Sequence, residues 1–198
     1  MIIPKEAPYK KRLHGYYLKF ENFVAAMQEE IGSGCIYCKS RQQAHMIYFN
    51  PQELVRCVAE EQGQPPRIYH QLGDVIQAFK QHPFIVSVHY LDNRAIAFWG
   101  QLPPHHQIKD LDTNADGVSI DILAARYKAD RFSGFLDISF VDGEGGLLFF
   151  LKGKMVGGSY SWGQGGLSPR EKDYRRLAAL FENQQGKLSI GTFISASR

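Results

Sequence analysis

The stretch from Ser133 to Tyr160 constrains the fold more than any other part of the chain, because it has the pattern of three short antiparallel strands. From Leu136 to Phe140 apolar residues alternate with polar ones, and this period of two gives a strand one apolar face. The run Leu147–Leu151 is apolar throughout, as expected of a central strand. Lys152-Gly153 then favours a tight turn, since glycine accepts positive φ without steric cost. The sequence therefore predicts an antiparallel meander.

Composition indicates an ordinary folded protein. Of the 198 residues, 44% are hydrophobic and 22% are charged, which argues against disorder. The formal net charge is only +3, and the basic residues are mixed with acids, so we expect no nucleic-acid partner. No apolar run approaches the roughly 20 residues that span a bilayer, and the amino terminus lacks the pattern of a secretory signal. The odd number of cysteines, 3, fits a reducing compartment, so the expected location is the cytoplasm.

A pattern of helix and strands recurs roughly one hundred positions along the chain, and a fixed long period predicts related units. Apolar residues at helical spacing run from Phe20 to Met27 and again from Ile120 to Tyr127. Each stripe is followed by a Ser-Gly pair, strands, a second helical stripe and a closing strand. Few letters are identical between the copies, so the alternative is chance recurrence of an order that many α+β domains share.

The predicted fold class is α+β, with two tandem related units. Each unit is expected to contain a helix, a three-stranded antiparallel meander, a second helix and a closing strand. A Pro-Pro pair joins neither a helix nor a central strand, so Pro103-Pro104 marks the boundary between unit 1–104 and unit 105–198. His105-His106 is expected to be part of a solvated linker.

Two local features complete the prediction. Ala95–Trp99 is expected to form an additional hairpin arm after a turn at Asp92-Asn93-Arg94. Ser168 is expected to cap the last helix, with proline at the first helical position and Glu171 at the third.

The hairpin Phe149–Val156 has the order apolar strand, X-Gly turn, basic residue and apolar pair. It follows Phe132-Ser133-Gly134 and precedes the helical stripe Tyr174–Phe181. This combination resembles the PATAN domain, named for the amino-terminal region of the response regulator PatA. The first unit resembles it only loosely, since Asn50-Pro51-Gln52-Glu53 stands where the X-Gly turn belongs. The resemblance implies a non-catalytic signalling or protein-interaction module in bacteria.

One segment has part of the pattern of a calcium-binding loop. Asp112, Asn114 and Asp116 place oxygen ligands on alternate residues, and Gly117 follows at the position of the sharp bend. The twelfth position is Leu123 rather than a bidentate acid, which removes two of the six to eight oxygens that calcium needs. The alternative is a polar turn whose side chains cap the following helix.

Cys35 and Cys38 have the spacing of a zinc or redox pair, but they lie on a predicted strand. Residues three apart on a strand point to opposite faces and lie about 10 Å apart, too far to share a metal or a disulfide. Cys57 supplies no second pair. We therefore expect buried structural cysteines.

The PATAN resemblance, taken together with the lack of a catalytic motif in the sequence, implies a non-catalytic cytoplasmic signalling or adaptor module that binds another protein and needs no cofactor. Tyr160 and Trp162, on a glycine-rich loop, are the candidate partner contacts, since aromatic residues dominate interface energetics. Two alternatives stay open. One is a calcium-modulated binding protein that uses the Asp112–Gly117 loop, and the other is an enzyme with a dispersed pocket that only the fold assembles.

Overall fold

The computed structural model describes residues 1–62, 64, 66–69, 72–81, 83–112, 119–184 and 186–194, without the side chains of 78–81 and 107–112. The chain divides into two compact units. Unit 1 comprises Met1–Ile3 and Ala7–Gln101, and unit 2 comprises Pro4–Glu6 and Leu102–Arg198. The division after Gln101 lies close to the predicted boundary between residues 104 and 105.

Unit 1 is built on a six-stranded antiparallel sheet with helices. Its elements in chain order are β1 (Lys10–His14), α1 (Phe20–Ile31), β2 (Gly34–Lys39), β3 (Gln43–Phe49), β4 (Leu54–Glu61), β5 (Arg67–Tyr69), α2 (Leu72–Gln81), β6 (Ile85–Tyr90) and α3 (Asn93–Trp99). The strand order across the sheet is β1-β6-β2-β3-β4-β5. The closing strand β6 therefore pairs with the first strand of the meander, β2, and β1 pairs with β6 at the edge.

The core of unit 1 lies between one face of this sheet and the first two helices. The apolar stripe of α1 and Val75 of α2 pack on strand residues that alternate along the sequence, as a period of two requires. The fully buried members of this core from the strands include Ile36, Ile47, Val86 and Val88.

Unit 2 has a five-stranded antiparallel sheet. Its elements in chain order are β7 (His105–Asp112), α4 (Ile120–Ala129), β8 (Gly134–Phe140), β9 (Gly145–Leu151), β10 (Lys154–Tyr160), α5 (Glu171–Asn183) and β11 (Gly186–Phe193). The strand order is β10-β9-β8-β11-β7. Here too the closing strand, β11, pairs with the first strand of the meander, and the strand that precedes the first helix pairs with the closing strand.

The predicted meander forms the centre of unit 2. Strand β9 lies between β8 and β10, and its residues are buried up to Phe150, which accounts for its uninterrupted apolar sequence. Helices α4 and α5 contribute Leu123, Tyr127, Leu177 and Phe181 to the core on one face. The mixed α+β class and the antiparallel sheets are as predicted.

A bridge covers part of the free edge of β10. Gly158 donates its backbone N–H to the carbonyl of Ser168 at 2.9 Å, and Ser168 donates back to the carbonyl of Gly158 at 2.6 Å. The predicted cap at Ser168 is wrong, because this bridge holds Ser168 against β10 in an extended conformation. Helix α5 instead begins at Glu171, and Arg170 occupies the cap position without a side-chain hydrogen bond.

Two further local predictions are wrong. Ala95–Trp99 is part of helix α3 rather than a hairpin arm, because Asp92 accepts a hydrogen bond from the backbone N–H of Ala95 at 2.7 Å and so caps a helix. His105 begins strand β7 rather than lying in a linker, since it pairs with Phe193 of β11. Its ring packs edge-on against Phe135 at 5.1 Å.

Among the described residues, no helix combines the length and the apolar composition that crossing a membrane requires.

Candidate functional site

The two predicted partner contacts lie together but differ in exposure. Tyr160 is the last residue of β10 and only 1% exposed, so its ring belongs to the core of unit 2. Trp162 follows in the turn, is half-buried, and stacks on Tyr160 with 5.2 Å between the ring centroids. Of the pair, Trp162 therefore offers the surface that another protein can reach, and the partner contact stays a prediction.

Trp162 is held on its other sides by residues of helix α5. The guanidinium of Arg176 lies over the indole ring at 4.1 Å from its centroid, a cation–π contact, and also pairs with Glu144 at 2.7 Å. The indole N–H donates to a carboxylate oxygen of Asp173 at 3.3 Å. The aromatic side chain is therefore fixed before any partner arrives, which reduces the entropy lost on binding.

Asp173 anchors this arrangement to the start of α5. Besides Trp162, its carboxylate accepts hydrogen bonds from the Ser168 hydroxyl at 2.6 Å and from Arg170 at 2.9 Å. Burial disfavours the charged carboxylate, but these hydrogen bonds outweigh it, and the net effect lowers the pKa of Asp173. An anion near the amino end of a helix also interacts favourably with the helix dipole.

A second feature of unit 2 is a site for a carboxylate, which we call the Glu6 cradle and define by Ser159, Gly163 and Gly166. The Glu6 side chain is 7% exposed. Its carboxylate accepts a hydrogen bond from the Ser159 hydroxyl at 2.5 Å and from the backbone N–H of Gly166 at 2.9 Å. A side chain at Gly163 would begin 2.6 Å from the carboxylate, so only glycine leaves room for it. The glycine-rich loop therefore holds an anion supplied by the chain itself.

The residue before Glu6 adds further contacts to unit 2. The backbone N–H of Lys5 donates to Ser159 at 2.7 Å, so both residues converge on one hydroxyl. The ammonium of Lys5 contacts Ser139 at 2.8 Å and pairs with Asp137 at 2.5 Å, both on β8. A short segment is thus recognised through its backbone, a cation and an anion.

Burial raises the pKa of Glu6, while the bonds from Ser159 and the loop backbone partly offset this effect. A segment without an acid at this position would leave the Ser159 hydroxyl and the Gly166 N–H without this acceptor, and buried donors without an acceptor cost free energy. The cradle therefore discriminates between a segment with an acid at this position and one without.

Unit 1 contains an open cleft, which we call the basic cleft, at the end of β1, the end of β2 and the start of β6. Its volume is about 630 Å³. The residues that line it are His14, Tyr37, Lys39, Ser40, Arg41, Pro83, Phe84, Ile85 and Ser87.

The predicted calcium loop falls mostly outside the described residues. Asn114 and Asp116 are not described, and Asp112 is described only as the last residue of β7, where it pairs with Lys187. Among the described residues, no group of three or more His, Cys, Asp or Glu side chains is arranged to hold a metal.

The three cysteines are buried, as predicted. Cys35 faces Tyr48 and Cys38 faces His45 across the β2–β3 pair, so the two thiols point to opposite faces of the sheet. Burial raises the pKa of Cys38 well above its usual value and that of Cys57 to about 11, which keeps both thiols protonated and unreactive.

Sequence patterns did not point to the Glu6 cradle or the basic cleft. Lys5 and Glu6 sit between prolines in a segment without periodicity, and burial of an acid there depends on a loop more than 150 residues away. The only available signal was the density of glycines around Gly163, which often marks close backbone approach. The basic cleft depends on the sheet order, because its strands are not consecutive.

A scan of the chain against models of known protein families gives no match. Searches of curated proteins and of solved structures likewise give no match. The PATAN resemblance therefore stays an expectation, and function is inferred from the chain's own geometry.

Proposed function

We propose that the chain is a non-catalytic cytoplasmic signalling or adaptor module that acts by binding another protein. The observation that carries this proposal is the Glu6 cradle, where unit 2 holds a short segment by a buried carboxylate. Backbone and side-chain contacts of this kind are how many modules recognise short peptides. The preferred segment has a basic residue followed by an acid, since Lys5 and Glu6 both contribute ion pairs or hydrogen bonds.

The chain's own segment competes with any partner for this site. A tethered segment has an effective concentration of roughly millimolar, so a partner segment must bind more tightly or act when the resident segment is released. Trp162, fixed under Arg176, supplies a neighbouring aromatic contact in the same unit. Rigid aromatic residues of this kind are typical interface anchors.

The test uses the full chain with Lys5→Ala and Glu6→Ala together, and a fluorescent peptide of residues 2–9 as the probe. We expect the double variant to bind the peptide at least tenfold more tightly than the wild-type chain, in which the resident segment occupies the cradle. Fluorescence anisotropy measures both affinities. A peptide with Glu6→Gln is the matched control and should bind weakly.

Equal binding of the native-sequence peptide and the Glu6→Gln peptide would contradict a carboxylate-specific cradle. A folded double variant that binds neither peptide would contradict the proposed segment-binding function altogether. Circular dichroism of the double variant separates these outcomes from simple unfolding.

We also propose that the two units are tandem copies of one PATAN-like fold. Their shared strand order supports this relation. Across the sheet of each unit, the strand before the first helix comes first, the closing strand second, and the three meander strands follow in chain order. An experimental structure in which the two sheets fail to superimpose strand by strand would contradict it.

A further inference from the structure

The basic cleft of unit 1 has the size and lining of a small-molecule site. Its volume of about 630 Å³ lies within the range of roughly 300 to 1,000 Å³ that is usual for ligand pockets. It is formed by residues of three neighbouring strands and of the turn that follows β2.

Sheet register places its side chains on one face. Tyr37 lies opposite Ser87, and Lys39 lies opposite Ile85, which in turn lies opposite His14. The residues between them on β2 and β6 point the other way, into the core. The row Lys39, Ile85 and His14 therefore crosses three strands and is basic at both ends, which lie about 10 Å apart across the sheet.

The charge of the basic cleft is not compensated from within. Three of its residues are basic, and none of the described residues that line it is acidic. Lys39 and Arg41 are exposed and form no ion pair with any residue in the described part of the chain. By contrast, Lys10 on the same strand as His14 pairs with Glu30. The cleft therefore attracts an anion.

The remaining lining is apolar and partly aromatic. Tyr37 is half-buried and Ile85 is 41% exposed, whereas Phe84 lines the cleft but is buried in the core of unit 1. Aromatic and apolar surfaces of this kind stack well on a flat ring, and the hydroxyl of Ser87 adds a polar group on the same face. An anion that carries a flat ring can contact both the basic residues and the apolar lining of the cleft, whereas a bare anion contacts only the basic residues.

We propose that the basic cleft binds a small phosphorylated ligand with an aromatic ring, of the nucleoside monophosphate class. The phosphate lies among Lys39, Arg41 and His14, and the ring lies on Tyr37. This inference goes beyond the proposed protein-binding function and does not rest on it, since it concerns unit 1 alone.

Isothermal titration of the full chain with AMP tests the proposal, with adenosine, ribose 5-phosphate and inorganic phosphate as comparison ligands. AMP should bind at least tenfold more tightly than any of the three. Adenosine lacks the phosphate, ribose 5-phosphate lacks the ring, and inorganic phosphate lacks both the ring and the sugar. Arg41→Gln and Lys39→Gln should each weaken AMP binding by about tenfold, the usual effect of losing one charged hydrogen bond.

Arg94→Gln is the matched control, because Arg94 is also an exposed arginine of unit 1 but lies in the first turn of α3, away from the cleft. Its affinity for AMP should equal that of the wild type. Thermal melts show that the variants remain folded.

Three results would each overturn the proposal: no heat at millimolar AMP, equal AMP binding by the Arg41 and Arg94 variants, or inorganic phosphate binding as tightly as AMP. Tighter binding of a hexaglutamate peptide than of AMP would also overturn it, and would assign the cleft to an acidic protein segment.

Discussion

At the scale of single residues, two buried tyrosines of unit 2 have contrasting hydroxyl groups. The Tyr160 hydroxyl is buried without a hydrogen-bond partner among the described residues. The Tyr174 hydroxyl donates to Asp121 of α4 at 2.5 Å. A buried polar group without a partner costs free energy, whereas a satisfied one contributes. The same chemical change therefore has opposite consequences at the two positions.

We expect Tyr160→Phe to leave the free energy of unfolding unchanged or to raise it by about 1 kcal/mol, because it removes an unsatisfied hydroxyl and keeps the stack on Trp162. Tyr174→Phe should lower it by about 1 to 2 kcal/mol, since Asp121 loses its donor. Urea unfolding measures both. A larger loss for Tyr160→Phe than for Tyr174→Phe would contradict this assignment.

His45 makes the stability of unit 1 depend on pH. It is 2% exposed, and its ring packs edge-on against Phe84 at 5.2 Å. Burial lowers the pKa of His45 from 6.5 to about 4. Between these values the unfolded chain binds a proton that the folded chain does not, so stability is fully present above pH 6.5 and falls as the pH falls toward 4.

Between pH 7 and pH 5 the free energy of unfolding should fall by about 2 kcal/mol less in His45→Phe than in the wild type, because the variant has no proton to bind at this position. Urea unfolding at pH 7, 6 and 5 gives the slope. Met46→Leu, at the neighbouring buried position without a titratable side chain, is the control and should keep the wild-type slope. Parallel pH profiles for His45→Phe and the wild type would contradict the linkage.

At the scale of elements, the β9–β10 turn is fixed both by its own geometry and by a neighbouring helix. Lys152 and Gly153 have φ of 50° and 80°, so both lie in the left-handed region that the tightest hairpin turns require. A side chain at Gly153 would begin 2.8 Å from the carbonyl oxygen of Lys128 in α4. The turn is therefore packed directly against the carboxyl end of α4, without room for a side chain at Gly153.

Gly153→Ala should lower the free energy of unfolding by more than Gly143→Ala. Both glycines have positive φ, 80° and 86°, so both variants incur backbone strain of about 1 kcal/mol. Only Gly153 adds a clash with backbone, since a side chain at Gly143 meets nothing within 4 Å. Urea unfolding of the two variants isolates that contact, and equal losses would show that α4 does not restrict the turn.

Elements with strong local signals were predictable from the sequence. The four long helical stripes, the meander and the Lys152-Gly153 turn each depend on periodicity or on glycine conformation within a few residues. The composition of Ala95–Trp99 predicts a strand rather than helix α3, although Asp92, three residues before Ala95, is a capping signal. Local sequence does not predict strand β7, because pairing with β11, a distant segment, decides its conformation.

The candidate sites were less predictable than the fold. Trp162 was identified from composition, but the burial of Tyr160 depends on α5 packing over the meander. The basic cleft depends on Lys39, Ile85 and His14 meeting across strands that are far apart in the chain. Register of this kind is a property of the assembled sheet and leaves no trace in local spacing.

At the scale of the whole molecule, each unit has its own hydrophobic core. Met27 belongs to the core of unit 1 and Leu136 to that of unit 2, and both are buried. All three cysteines are in unit 1 and buried. Thiol labelling therefore reports the opening of unit 1.

Met27→Ala should raise the rate of thiol labelling by Ellman's reagent by about 30-fold or more, because deleting a buried methionine side chain costs about 2 to 5 kcal/mol. Leu136→Ala carries a similar cost but in the other core, so it should leave the labelling rate within about twofold of the wild type. If Leu136→Ala accelerates labelling as much as Met27→Ala, the two cores unfold as one.

The bridge between Gly158 and Ser168 has a consequence for how the protein behaves in a crowded solution. Strand β10 is the last strand of its sheet, and exposed edges of this kind recruit strands from other molecules. Here both backbone groups of Gly158 are already occupied by Ser168, and the next residue, Pro169, has no N–H to offer. An incoming strand finds the edge interrupted at its middle, so the loop that leads to α5 also protects the sheet from seeding fibrils.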